Sequence, residues 1–265
     1  MQNSKLASSL KFVFRGYDSG IDRGEVFFHF SIENQNKSID FTEKIYFPPF
    51  APEIPLNLFK SLLDNLMLIL GISYWKTYCP KEIVIENNFL TKNQAEFWNT
   101  VYTKGLGEFF YKNNLDFRGL VQFPYVNNEA KPISFQRKNR TLLGVGGGKD
   151  SIVVAEMLKK DNKQFDLVTS GFPIQIEIAK LIGGKIINTY RKIDPKLLDL
   201  NKEKGTFNGH IPISVYYAFL LLLMAALLDY KSIVVGNEKS ANYGNVEYLG
   251  EIINHQWSKS EEFEK

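Results

Sequence analysis

The stretch Leu142-Leu143-Gly144-Val145-Gly146-Gly147-Gly148-Lys149-Asp150-Ser151 decides the fold. A short apolar run meets three glycines and then opens a segment, Ile152 to Lys160, whose apolar residues fall at helical spacing. Strand, glycine turn and helix in that order make a βα unit. Glycine lets backbone N–H groups approach an anion with no Cβ in the way. The helix N-terminus adds its dipole and its unbonded donors. Asp150 and Ser151 stand where helix caps stand. Residues Gly146, Gly147, Gly148, Lys149, Asp150 and Ser151 therefore read as a phosphate cradle.

Downstream the pattern continues. Phe165 to Val168 reads as a strand, Pro173 to Ile182 as a helix, and Lys185 to Thr189 as a strand. Pro212 to Leu228 reads as a long helix and Ser232 to Val235 as a strand closed by Gly236. Such alternation argues for a parallel sheet covered on both faces. Ligands bind such sheets outside the carboxyl ends of the strands. Thr169 and Ser170 follow the second strand, and Asn237, Glu238, Lys239 and Ser240 follow the last.

Upstream, aromatic and alternating segments dominate. Phe12-Val13-Phe14 leads to an expected turn at Asp18-Ser19-Gly20, and Glu25 to Ile32 pairs with Ser38 to Phe47 as a hairpin across 34–37. A proline-rich connector, 48–55, precedes a helix from Leu56 to Leu70 with Gly71 as its stop. A further helical pattern covers Asn93 to Leu115, and 126–132 reads as a polar linker. The composition shift near residue 140 sets the expected division: 1–138, an α+β domain, and 139–265, the glycine-loop domain.

The 265 residues allow about two domains. With 44% apolar residues and 21 Phe, the chain is neither disordered nor a disulfide-stapled miniprotein. The 32 basic and 29 acidic side chains leave a net charge of +3, which predicts neither a nucleic-acid stripe nor a polybasic membrane patch. Cys79 stands alone and reads as a small buried hydrophobe. The first ten residues carry no hydrophobic signal core, so the chain is expected in the cytoplasm. The apolar run Val215 to Leu228 has 14 residues where a membrane span needs about 20, so a buried helix is expected.

The loop lacks the spacer and ending of a Walker A motif and the spacing of GxGxxG. It resembles the SerGlyGlyXaaAspSer loop of the PP-loop ATP pyrophosphatases, with Gly146 in place of the usual Ser. That resemblance implies an α/β fold: a PP-loop, Rossmann-like domain with a doubly wound parallel sheet, preceded by the smaller α+β domain. It also implies cleavage of ATP between its α and β phosphates, with Asp150 holding Mg²⁺ or capping the helix and Thr169 and Ser170 near the nucleotide.

A closer resemblance rests on LeuGlyIleSerTyrTrpLys (70–76), TyrThrLysGlyLeuGlyGluPhePheTyrLysAsnAsnLeu (102–115), GlyValGlyGlyGlyLysAspSer (144–151), GlyHisIleProIleSer (209–214), GlyAsnGluLysSerAlaAsnTyrGlyAsn (236–245) and AsnHisGlnTrpSerLysSer (254–260). With these stretches the chain resembles the ATP-dependent UDP-N-acetylmuramoyl-L-alanyl-L-glutamate epimerases, the MurL family, whose chains continue further. The resemblance implies an N-terminal fragment of an enzyme of peptidoglycan precursor synthesis. Its implied reaction inverts the terminal L-Glu of a nucleotide-linked muramoyl dipeptide through an acyl-adenylate. The implied partners are that small substrate, ATP and Mg²⁺, with no nucleic acid and no membrane. The oligomeric state stays open.

Glu238, Lys239, His255 and Lys259 are the candidates for proton transfer, and sequence does not choose among them because geometry decides. His210, Asn237 and Asn242 are candidate substrate contacts. His29 reads as structural, and the terminal Glu261-Glu262-Phe263-Glu264-Lys265 as a solvated face. Two other readings keep the loop: a ligase or amidotransferase joining an amine to the activated carboxylate, or a module that binds nucleotide without turnover.

Overall fold

A computed structural model describes residues 10–49 and 53–265. Three strands open the chain, β1 (Lys11–Gly20), β2 (Glu25–Glu33) and β3 (Ser38–Tyr46). The hairpin expected across 34–37 is present, with Glu33 opposite Ser38. β1 runs on through Asp18 and Ser19, so the first turn comes later than expected, at Ile21–Arg23 with Gly24 left-handed at φ 70°. Burial of every apolar residue from Phe12 to Phe14 and of Gly20 holds the strand in register that far. The proline connector lies partly outside the described residues, as does nearly all of the N-terminal decapeptide.

Helix α1 (Leu56–Trp75) does not stop at Gly71. A Cβ there would lie 2.3 Å from the ring of Phe14 and 3.2 Å from that of Phe12. The glycine lets the helix press onto the aromatic face of the sheet. Its helical penalty of about 1 kcal/mol is offset by burying Ile72, Tyr74 and Trp75, each 1% exposed or less, at roughly 1.5–3 kcal/mol for a large apolar side chain. Phe30 and Tyr74 stack at 5.0 Å, and Phe41 meets Tyr74 at 4.8 Å. Gly71→Ala is expected to destabilise the chain by about 1–3 kcal/mol through overpacking, read as a lowered urea midpoint at unchanged slope; an unchanged midpoint would refute this account of the glycine.

The chain continues with β4 (Glu82–Ile85), α2 (Lys92–Lys104) and α3 (Gly107–Lys112). The pattern from Asn93 to Leu115 is thus two helices. They part at Gly105, where a Cβ would lie 2.8 Å from Pro212. The second half brings β5 (Thr141–Gly144), α4 (Lys149–Lys160), β6 (Phe165–Thr169), α5 (Pro173–Ile182), β7 (Ile186–Asn188), β8 (Tyr190–Lys192), α6 (Pro195–Leu200), α7 (Ile213–Leu227) and β9 (Ser232–Val234). A ribbon, β10 (Val246–Tyr248) with β11 (Glu251–Ile253), and a last turn, α8 (Glu261–Glu264), end it.

The strands form a five-stranded sheet in the order β4-β1-β2-β3-β8, a four-stranded sheet in the order β7-β6-β5-β9, and the ribbon. The four-stranded sheet is parallel throughout. Its alternate side chains go to opposite faces, as strand geometry requires. Leu143, Val145 and Leu167 pack with Ala155, Ile178, Ala179 and Ile182 of α4 and α5. Leu142, Val168 and Ile187 instead join the main core with α7, α1 and the first sheet. So α7 is the buried helix expected. Among the described residues α1 is the helix long and apolar enough to cross a membrane, yet Leu66 to Trp75 are all buried inside the fold.

β8 was not expected. It leaves the second half of the chain and adds an antiparallel edge to the first sheet, Arg191 opposite Ile45. Cys79 is buried, and burial pushes its thiol pKa well up, as its reading as a small hydrophobe predicts.

Candidate functional site

The order β7-β6-β5-β9 places the topological switch between β5 and β9. Successive connections there depart to opposite sides and leave a crevice at the carboxyl ends. The loop after β5 is the glycine loop and the loop after β9 is 235–238. Gly147 is left-handed at φ 85°, and a Cβ on it would press on Ile174 and Gln175 at 3.3 Å. Gly146 and Gly148 face open space, with nothing within 4 Å of where their Cβ atoms would be. Gly148 precedes α4, and no side chain caps it. The first N–H groups of α4 thus have no intrahelical acceptor. Ser151 bonds back to the Gly148 carbonyl at 3.0 Å.

Lys149 bridges the crevice. Its Nζ donates to Asp150 Oδ1 at 2.9 Å and to Glu238 Oε1 across the switch point. Ser240 Oγ donates to the other Glu238 oxygen at 3.1 Å. Hydrogen bonds to Glu238 and then Asp150 push the Lys149 pKa up to about 12, and the Lys149 bond holds the Glu238 carboxyl down. Gly236 lets the second loop run against α4, since a Cβ there would sit 2.8 Å from the Asp150 backbone. Glu238 is thus an ionised ion-pair partner, an environment that weakens it as a base.

At the end of β6, the Thr169 hydroxyl donates to Asn188 at 2.8 Å. The Gln175 side-chain oxygen accepts from both the N–H and the hydroxyl of Ser170, at 2.9 and 2.8 Å. Tyr217, from the first half of α7, comes within 3.3 Å of the same hydroxyl. Because α7 runs back against the parallel strands, its leading segment 208–212 emerges at this same edge.

That segment carries His210. Its Nδ1 lies 3.8 Å from Glu108 Oε2, at the start of α3. Burial lowers the His210 pKa and nearby His255 lowers it further, while Glu108 opposes both, so the imidazole is neutral at neutral pH. His255 lies close by, in the turn after β11. Asn254, its neighbour, donates to the Ala241 carbonyl at 2.7 Å and so ties this turn to the loop after β9. Two groups of candidates therefore gather at the carboxyl edge: Lys149, Asp150 and Glu238, and His210 with His255.

The remaining candidates are placed differently. Asn237 donates to Glu264 at 3.0 Å, and Asn242 exchanges hydrogen bonds with Glu261 at 3.2 and 2.8 Å. Trp257 Nε1 donates to Glu262 at 3.0 Å, and Lys104 pairs with the same residue. The terminal residues are the exposed face expected, apart from half-buried Phe263, and their carboxylates also tie α8 to the loop after β9. Lys239 and Lys259 are exposed, without an ion pair or side-chain hydrogen bond among the described residues. His29 sits between Asp18 and Thr42 on the first sheet, at 2.9 and 3.2 Å, as a structural residue would.

Sequence reasoning missed Gln175, Tyr217 and Glu108. Of these only Glu108 stands in a stretch that carried the family resemblance. No group of three metal-ligating side chains occurs among the described residues. Mg²⁺ does not demand one, because it is usually held by one or two carboxylates with phosphates and water; Asp150 and Glu238, beside an uncapped glycine loop, fit that donor set. Two clefts, of about 510 and 260 Å³, lie away from the glycine loop, around Arg140 and Asp166 and around Asp64.

A family model described as the MurL N-terminal domain matches residues 3–265. Three curated relatives carry the name UDP-N-acetyl-alpha-D-muramoyl-L-alanyl-L-glutamate epimerase. One from Xanthomonas oryzae is 36% identical over 77% of this chain and 45% of its own length. Those from Salinispora tropica and a Micromonospora species are each 33% identical over the whole chain, covering 59% and 60% of their own lengths. The chain thus spans about half to three-fifths of these relatives. No solved structure matches it.

Proposed function

The chain belongs to the MurL family, and from that premise we propose that it is the nucleotide-binding part of an ATP-dependent epimerase that inverts the terminal L-Glu of UDP-MurNAc-L-Ala-L-Glu. The carrying observation is the uncapped glycine loop at the switch point, with Lys149 bridging Asp150 and Glu238 beside it. This is PP-loop architecture by our reading, and the reaction places the enzyme in the cytoplasm with peptidoglycan precursor synthesis.

The chemistry accounts for the ATP. A carboxylate resists loss of its α-proton, because the resulting enolate adds charge beside charge. Attack of the carboxylate oxygen on the α-phosphorus forms an acyl-adenylate and breaks the bond to pyrophosphate. The α-proton then becomes acidic enough for a base to take, and an acid returns one on the other face. Water finally splits the acyl-adenylate to D-Glu and AMP. The loop N–H groups and Lys149 hold the departing pyrophosphate. Mg²⁺, held by Asp150 with Glu238, would neutralise phosphate charge. His210 is suited to accept the proton because burial favours its neutral form, and His255, near enough to influence it, is the second candidate.

The test follows AMP and glutamate chirality in a protein of the relatives' full length, given ATP, Mg²⁺ and the L-Glu substrate. AMP with D-Glu is expected. AMP that forms only with an added amine would make the protein a ligase, and ATP binding without AMP would make it a binding module.

A further inference from the structure

Lys76 closes α1, and its residue is 4% exposed. No carboxylate lies within ion-pair distance of it among the described residues. Its Nζ has three donors and one acceptor there, Asn208 Oδ1 at 2.8 Å. The ring of Phe109 is 6.0 Å away. Burial pulls the Lys76 pKa down to about 8, so the ammonium is still charged at neutral pH. The adjacent Cys79 is a thiol, not a carboxylate, and burial pushes its pKa well up. A buried charge without an opposite one is costly, and folds generally pair them. This fold does so with Arg191, also nearly enclosed, which has Glu43 at 2.5 Å and Ser73 at 2.9 Å.

The one partner of Lys76 is an exposed side chain. Asn208 stands over the ammonium, and its oxygen also accepts the Gly209 N–H at 2.8 Å. Asn113 donates to the Asn208 carbonyl at 3.1 Å. The next residue but one is His210. Moving one amide side chain would therefore open a cation under the segment that carries His210 two positions further on. The segment then enters α7, whose Tyr217 reaches Ser170 at the edge that carries the glycine loop.

We propose that Lys76 is an anion receptor: a carboxylate of the bound peptide displaces the Asn208 amide and pairs with the ammonium. This rests on the glutamyl reading above. A terminal glutamate has two carboxylates, and adenylation neutralises one. The other stays ionised and needs a cation near the proton-transfer group. Lys149 is engaged by two acids, whereas Lys76 is engaged by none.

Calorimetric titration of this chain with L-alanyl-L-glutamate, glutarate and pyrophosphate tests it, alongside ¹³C NMR of the lysine ε-carbons. The dipeptide and glutarate are expected to bind and to move the Lys76 titration upward from about 8. Lys76→Met should weaken dipeptide binding at least tenfold and leave pyrophosphate binding unchanged, which also shows that the variant is folded. Asn208→Ala, which keeps the ammonium and removes its competitor, should bind the dipeptide as well or better. The proposal is overturned if the dipeptide does not bind, if its binding leaves the Lys76 signal unmoved, or if Lys76→Met retains full affinity. It is equally overturned if pyrophosphate rather than dipeptide binding is lost, since the site would then serve phosphate. None of these readouts uses turnover, so failure to form AMP would count against the epimerase reading and leave this result standing.

Discussion

Arg191→Met is expected to remove about 3–5 kcal/mol of stability, the usual penalty for stripping one partner from a buried ion pair. Glu43 is fully buried, and its oxygens lie 2.5 and 3.3 Å from the Arg191 guanidinium. Burial pulls the Arg191 pKa down, but Glu43, with Tyr216 and Tyr74, raises it above the usual value, so the guanidinium stays charged. Ser73 at 2.9 Å and the Tyr216 ring at 4.9 Å fill the remaining sides. The four residues belong to β8, β3, α1 and α7, so one guanidinium locks both halves of the chain together. Removing it leaves a fully buried carboxylate without its cation. Removing both charges, in Arg191→Met with Glu43→Leu, should recover most of the loss, because an apolar pair of similar volume is often no worse. Urea unfolding checks both variants through the midpoint at constant slope. A single variant within about 0.5 kcal/mol of the parent would show that water or another group reaches Glu43.

The same pair shows why part of the fold is hidden in the sequence. β8 is Tyr190-Arg191-Lys192, three polar-tipped residues without apolar alternation. Its place follows from a partner 148 residues away, Glu43, and from nothing local. Gly71 misleads for a related reason: a glycine reads as a stop until the ring it must clear is known. The parallel sheet was legible because its signals are local, glycine after strand and apolar spacing along helix. The site divides in the same way. The cradle is written in three adjacent glycines, whereas Lys76 and Asn208 meet across 132 positions. Glu108, His210 and His255 likewise become one cluster only through the packing of α3, the lead into α7 and the turn after β11.

Substitutions in the glycine loop separate scaffold from ligand site. Gly147→Ala is expected to lose both stability and nucleotide binding. At φ 85° an L side chain is strained by roughly 1–2 kcal/mol, and its Cβ would push Ile174 and Gln175, the latter of which holds Ser170 after β6. A shift of the loop N–H groups by about 1 Å is enough for a rate loss near 100-fold where geometry carries catalysis. Gly148→Ala is the sharper test. Its φ of −108° suits any residue, and the new methyl would meet no protein atom within 4 Å. Stability should therefore stay within about 0.5 kcal/mol of the parent, or rise slightly as the unfolded chain loses freedom. If phosphate occupies the open side of the loop, that methyl takes its space, and ATP affinity should fall at least tenfold while the unfolding midpoint stands still. Equal ATP affinity in Gly148→Ala would mean that the open side faces solvent and that the loop is a turn between strand and helix, with Lys149, Asp150 and Glu238 an ion-pair clasp across the crevice.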